Sequence, residues 1–298
     1  MSTVSARPAT LPARVEAWGG RGHPEEFRGH RIHCFYQPGD GPLLLLLHGF
    51  PTCSYDWRHL IELEPGRAIL AFDFLGFGLS DKPRDHDYSL AWQADLTEEL
   101  VRRHGGGPVH LVAHDMGTSV ATELFARDIE GKLDMDLLGA VLFDGSVIIE
   151  RASLTLGQNL LRSRFGPAFS RVSSGAFFRR QLGSVFAKGH PMSTEEAADQ
   201  WALMKFKGGN RIAHKLIGYT FERARHAERW HGAVRNWPKP LALTWGLQDP
   251  VATTNVLDGL RELRPGAPVF ELPDLAHYPQ IEDPATFHTA LTKALAAR

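Results

Sequence analysis

The stretch VHLVAHDMGTSVATEL, Val109 to Leu124, decides the fold. Its first five residues form an apolar run that reads as a buried strand, and its last eight read as a helix. Between them lies Ala113-His114-Asp115-Met116-Gly117, a small-x-nucleophile-x-small pattern. Small residues two before and two after the centre let strand and helix backbones close up. The tight turn then pushes the central side chain out above a sheet. Serine is the usual occupant of that centre; here it is Asp115.

The flanking chain repeats the strand-turn-helix theme. Residues 27–38 alternate loosely and end in a turn cluster, predicting a strand. Leu43 to Leu47 is a continuous apolar run, as expected of a parallel strand buried on both faces, and it ends in His48-Gly49-Phe50-Pro51. Further strands are predicted over Ala68–Phe74, Leu137–Phe143, Pro240–Trp245 and Val269–Leu272, and helices over Ser89–Arg103, Thr254–Leu263 and from about Pro284 to the end. Between Val147 and Trp237 there is no convincing strand run, only helix-like pieces rich in Arg, Phe and Leu. Ser193 to Glu196 has the form of a capping box. Alternating strands and helices predict an α/β fold, a mostly parallel doubly wound sheet with an inserted helical cap. The expected organisation is a loosely ordered lead-in over 1–26, a core over 27–146 and 238–298, and a cap over 147–237.

Composition sets the limits. The 298 residues are 43% hydrophobic and 22% charged, with a net charge of −1, so neither nucleic acid nor an anionic membrane is expected as a partner. No apolar run is long enough to span a bilayer, and residues 1–20 lack the apolar segment of a secretory signal. Two cysteines, Cys34 and Cys53, do not make a disulfide framework. A reducing, cytoplasmic location is expected.

Three predicted strand ends each carry an ionisable residue: Asp115, Asp249 and His277. Beyond the carboxyl ends of parallel strands is where such sheets build their sites. Nucleophile, acid and histidine in that chain order make a triad. Asp144, at another strand end, is the alternative acid. A carboxylate nucleophile suits displacement at a saturated carbon, which leaves a stable ester, better than attack on an acyl group, which would give an anhydride. His277, oriented by Asp249, would then direct water at the ester carbonyl.

With these motifs the chain resembles the Asp-nucleophile branch of the α/β-hydrolase family, which holds epoxide hydrolases and haloalkane dehalogenases. HGFP (His48–Pro51) and HDMG (His114–Gly117) are similar to the HGxP and HDxG motifs of epoxide hydrolases. HGFPTCSYDW, FDFLGFGLSDKP and AHYPQIEDP are closer to the mesoderm-specific transcript family and its bacterial relatives. By this resemblance the oxyanion donors are the backbone N–H groups of Phe50 and Met116, the residue after the nucleophile. Epoxide opening also needs an acid, which the family supplies from two cap tyrosines. Tyr219 falls at the second position, with packing in a helix interface as its alternative role; the first has no counterpart, and Tyr55, His190 and His214 are other candidates. A dehalogenase would need halide donors. Met116 and Phe50 offer none, which leaves Trp201, Trp230 and Trp237.

The expected function is a hydrolase acting through an alkyl-Asp115 ester, foremost an epoxide hydrolase giving vicinal diols. The alternatives are a haloalkane dehalogenase and a non-catalytic binding protein. No metal or organic cofactor is implied. The substrate should be small and hydrophobic, with water as co-substrate, in a pocket bordered by His48, Trp57, His114 and Phe143 together with Phe50, Met116 and cap phenylalanines. His48 and His114 are also expected to make structural hydrogen bonds around the oxyanion loop. The cap arginines Arg162, Arg164, Arg171, Arg179 and Arg180 are expected on solvated faces or in salt bridges.

Overall fold

The computed structural model describes residues 11–297. Eight strands form one sheet: β1 (His23–Phe27), β2 (His30–Gln37), β3 (Asp40–Leu47), β4 (Arg67–Phe72), β5 (Val109–His114), β6 (Leu137–Phe143), β7 (Leu241–Gly246) and β8 (Val269–Leu272). Their spatial order is β1-β2-β4-β3-β5-β6-β7-β8. β1, β2 and β4 pair antiparallel, and every pairing from β4 through β8 is parallel. The central parallel strands are largely apolar because helices cover both faces. Leu44, Leu45, Leu46 and Leu47 of β3 and Leu111, Val112 and Ala113 of β5 are all buried.

The sheet begins earlier than the sequence pattern indicates. Residues 27–38 do hold one strand, β2, but it is entered from a preceding strand through a hairpin turn. Arg28 and Gly29 turn between β1 and β2 with φ of 49° and 79°, the left-handed pair a two-residue turn demands. The expected loose lead-in over 1–26 also needs correction. Ala13–Arg21 is a helix, and its Val15 and Trp18 are buried, with Trp18 stacked on Phe35 of β2. Residues 1–10 lie outside the described residues.

The helix Leu90–Arg103 starts where Ser89 caps it. The helix Met116–Ile129 follows the elbow, and its inner face is buried from Met116 to Ala126. Between β6 and β7 every regular element is helical, from Ile149 to Asn236. The capping box at Ser193 is only half made. Ser193 Oγ accepts from Glu196 N at 3.0 Å, but the Glu196 carboxylate turns to Arg58 and Gln200 instead of its own cap. The buried ion pair outcompetes the local turn. A reciprocal box forms at Thr155 and Gln158, with bonds of 3.2 and 2.8 Å. Cys34 and Cys53 are buried free thiols. No helix among the described residues is long and apolar enough to cross a membrane.

Candidate active site

Four turns at the carboxyl ends of parallel strands converge. After β5 the backbone enters the elbow at Asp115 with φ 40° and ψ −108°, a strained conformation for a residue with a side chain. Glycine permits the crowding. A Cβ on Gly117 would lie 2.6 Å from the Leu47 carbonyl oxygen, and one on Gly49 would lie 2.7 Å from Asp115 Cβ. The strand β3, its HGFP turn and the elbow therefore touch backbone to backbone.

The Asp115 carboxylate is held at both oxygens. Phe50 N–H donates to Oδ2 at 2.9 Å. Near Oδ1 lie the Tyr219 hydroxyl and Arg223 Nη2, each at 3.5 Å. Arg223 is buried. It donates from Nη2 to the Asp115 carbonyl oxygen at 2.7 Å and from Nε to Ser119 Oγ at 2.7 Å, and its guanidinium sits 4.6 Å over the Tyr219 ring. It therefore clamps the strained elbow from the cap side and places a positive charge beside the carboxylate. Sequence reasoning missed it. The signal was its position four residues after Tyr219 on one helix face. Tyr219 is itself buried, and burial followed by the Asp115 charge raises its pKa above the ordinary phenol value.

His277 and Asp249 meet as expected. The ring Nδ1 lies 2.7 Å from Asp249 Oδ2, while Asp249 Oδ1 accepts from Val251 N (2.7 Å) and Ala252 N (3.0 Å). With Nδ1–H committed to Asp249, Nε2 is left as the basic nitrogen. Burial pulls the His277 pKa down, but the charge and hydrogen bond of Asp249, with the charges of Asp115 and Glu282, outweigh it and the net shift is upward. Asp144 is not the partner of His277. Its Oδ1 accepts from Gly246 N at 3.0 Å and its Oδ2 has no partner. Burial, then the charge of Asp249, pushes its pKa well up.

The loop carrying His277 has an organiser that the sequence did not reveal. Glu282 accepts from three backbone N–H groups: Ala276 (2.9 Å), Tyr278 (3.0 Å) and Ala187 (3.1 Å). Two flank His277 and the third comes from the cap.

A cavity lies between cap and core. Its wall includes Phe50, His277 and Tyr278 from the core side and Leu161, Phe169, Phe178, Leu182, Trp201 and Met204 from the cap. Asp115 and Tyr219 are not among its lining residues, and Phe50 is the lining residue that touches both. Phe50 packs on Tyr219 with ring centroids 5.9 Å apart, while its N–H reaches Asp115.

Several pocket expectations fail. His48, Trp57, Met116, His114 and Phe143 are buried but do not line the cavity. Trp57 and Phe143 pack on each other inside the core at 5.7 Å. His48 accepts from Phe74 N at Nε2 (3.0 Å) and its Nδ1 donates to the Gly49 carbonyl oxygen (2.9 Å); burial lowers its pKa to about 4. His114 Nε2 donates to the His277 carbonyl oxygen at 2.7 Å, tying β5 to the loop that carries His277. Both histidines are neutral struts, the structural role the sequence offered for them.

Other candidates are also placed elsewhere. Tyr55 donates to Asp199, His190 contacts the Glu282 carbonyl oxygen and His214 contacts Ser170. Trp230 and Trp237 spend their indole N–H on Glu123 (2.9 Å) and Asp128 (2.6 Å), leaving Trp201 on the cavity wall. Among the described residues, the grouping with metal-ligand spacing is His23, Glu25 and His104. None of them lines the cavity, and Glu25 is already engaged by His104 at 2.5 Å and Arg103 at 3.3 Å.

Comparison with known proteins agrees with this fold. Residues 42–284 match the family described as alpha/beta hydrolase fold. A putative hydrolase, LipZ, of Mycobacterium tuberculosis is 57% identical over 258 residues, covering 87% of this chain and 90% of that protein. The mesoderm-specific transcript homolog protein of Bos taurus is 35% identical over 299 residues, covering 95% of this chain and 88% of its own. The solved structure of the epoxide hydrolase CorEH superposes with a TM-score of 0.75 at 21% identity, over 92% of this chain and 98% of that one, a likeness of fold.

Proposed function

The chain belongs to the α/β-hydrolase fold family, and from that premise we propose that it opens an electrophilic sp³ carbon through an ester on Asp115, with an epoxide as substrate and a vicinal diol as product. The observation that carries the reading is the Tyr219 hydroxyl 3.5 Å from Asp115 Oδ1. An epoxide carbon attacked by Asp115 releases an alkoxide on the adjacent carbon, within reach of a phenol poised beside the attacking oxygen. Tyr219 gives that oxygen its proton.

The second half returns the enzyme to its start. His277 Nε2 takes a proton from water, which adds to the carbonyl carbon of the ester. The Phe50 N–H, already on Oδ2, holds the oxyanion that forms there, with the Met116 N–H as its companion. Collapse of the adduct expels the diol oxygen, which takes the proton from the His277 imidazolium, and the acid proton left on Asp115 passes to the Tyr219 phenolate, restoring the carboxylate and the phenol. Asp249 keeps the imidazole in the required tautomer and stabilises the imidazolium. No step calls for a metal or organic cofactor. The apolar wall of Leu161, Phe169, Phe178, Leu182 and Met204 favours a hydrophobic substituent on the epoxide.

Dehalogenation ranks second because two of the three cap indoles are already bonded to carboxylates. A mixed panel of aryl and alkyl epoxides and haloalkanes separates the two. The reading expects diol release without halide release. Halide release alone would replace it with dehalogenation, and consumption of neither class would favour a binding role.

A further inference from the structure

The cap carries a charge distribution that the catalytic reading leaves unused. From Arg151 to Thr194 there is no Asp or Glu, although the whole chain balances at −1. Arg151 is paired with Glu262. Arg164, Arg171, Arg179 and Arg180 are exposed with no carboxylate within 4.0 Å among the described residues, so they take the solvated-face alternative, whereas Arg162 is half-buried and its Nε is buried without a hydrogen-bond partner. Two of these arginines lie over aromatic rings, Arg162 on Phe221 at 4.6 Å and Arg164 on Phe165 at 4.7 Å.

The same region holds the most exposed large apolar side chains among the described residues. Val172 is 78% exposed, Leu156 62% and Phe165 60%. Leaving them in water forfeits the favourable burial available to groups of this size. Spacing puts them among the arginines. Arg164, Phe165, Ala168, Arg171 and Val172 follow at helical intervals on the outer side of the helix Gly166–Val172, whose Phe169 and Ser170 line the cavity. In the next helix, Gly175–Gly183, Ala176, Arg179 and Arg180 face outward, while Phe177, Phe178 and Gln181 line the cavity. The two helices pack through Phe169 and Phe177, with centroids 5.3 Å apart.

We propose that this outer face of the cap, Leu156 to Arg180, docks on an anionic lipid surface and so brings the cap–core cavity against the bilayer. Charge complementarity selects the occupant. Unpaired guanidinium groups attract acidic headgroups, and the apolar side chains between them enter the headgroup and acyl boundary, as in interfacial amphipathic helices. No helix needs to span the bilayer. The sequence had led to the opposite expectation because its charges cancel over the chain as a whole, whereas the fold segregates them.

The test is sedimentation of the full chain with phosphatidylcholine vesicles, with and without phosphatidylglycerol. The expected result is binding to the anionic vesicles, loss of binding at raised salt, and a weakening of about fivefold for each arginine removed in R164Q, R171Q and R180Q. V172D and F165D should also weaken binding while leaving the thermal midpoint unchanged, since both side chains are exposed. Three results would overturn the proposal: no preference for anionic vesicles; binding that survives these substitutions; or a chain that is dimeric in solution, becomes monomeric as V172D and ignores vesicles, which would make the face a contact between copies. None of these outcomes depends on the identity of the substrate.

Discussion

The core turns and the outer cap treat their charged residues in opposite ways. At the core site each ionisable group has an assigned partner: Asp115 with Phe50 N–H, His277 with Asp249, and Arg223 with the elbow carbonyl and Ser119. On the outer cap, four exposed arginines, Arg164, Arg171, Arg179 and Arg180, have no carboxylate partner among the described residues and lie among exposed apolar side chains. A buried charge must be paired and hydrogen-bonded, because desolvating it alone costs several kcal/mol. An exposed one is free to wait for a partner outside the chain. The difference separates chemistry fixed within the fold from recognition directed outward, and the two should respond differently to substitution.

The largest effect is expected at the nucleophile. Asp115→Ala should lower kcat for epoxide hydrolysis by about 10⁴-fold or more, measured by diol formation. Residual activity near wild type would remove Asp115 from the chemistry and with it the contrast. Asp249→Asn should cost about 10³- to 10⁴-fold, because an amide no longer holds the His277 tautomer. The same variant carries a pH signature. His277 works as a base only when neutral, and its pKa is raised, so wild-type activity should fall as pH drops through a value above the ordinary histidine 6.5. Loss of the Asp249 charge removes the main upward pull against burial. The acid limb of any residual activity should therefore move to lower pH, as a pH–rate profile would show.

Tyr219→Phe is the next step down. It should slow epoxide opening by about 100-fold while leaving displacement of a good leaving group such as iodide nearly unchanged. An equal loss on both substrates would make Tyr219 a packing residue. The smallest effect belongs to the cap. V172D should change stability by no more than about 0.5 kcal/mol in a denaturation experiment, as for an exposed side chain without partners. A large loss would mean that this face is packed in solution and would dissolve the comparison.

The core was legible in the sequence for physical reasons. Parallel strands covered on both faces must be apolar throughout, so β3, β5 and β6 stand out as runs. The elbow must be flanked by small residues, so Ala113 and Gly117 bracket Asp115. The pocket lining was read less well. His48, His114 and Phe143 are near the catalytic turns in sequence, but their side chains point into the core, and nearness in the chain says little about which way a side chain faces. Glu282 bonds N–H groups that flank His277 and one from the cap, a pattern of tertiary origin with no fixed spacing. The first three cap helices are short, seven residues in Leu156–Arg162 and in Gly166–Val172 and nine in Gly175–Gly183, too brief for periodicity to mark their faces. The arginine cluster was visible in the sequence, but which of its members stand exposed without a carboxylate is set by the fold.

The central claim is a covalent ester on Asp115, and His277→Gln tests it most directly. In that variant attack on the epoxide still proceeds while water is no longer activated. Mass spectrometry of the protein after incubation with an epoxide turned over by the wild type should show a gain equal to the mass of the epoxide, located on the peptide containing Asp115. An unmodified protein, or a gain on any other residue, would contradict the account.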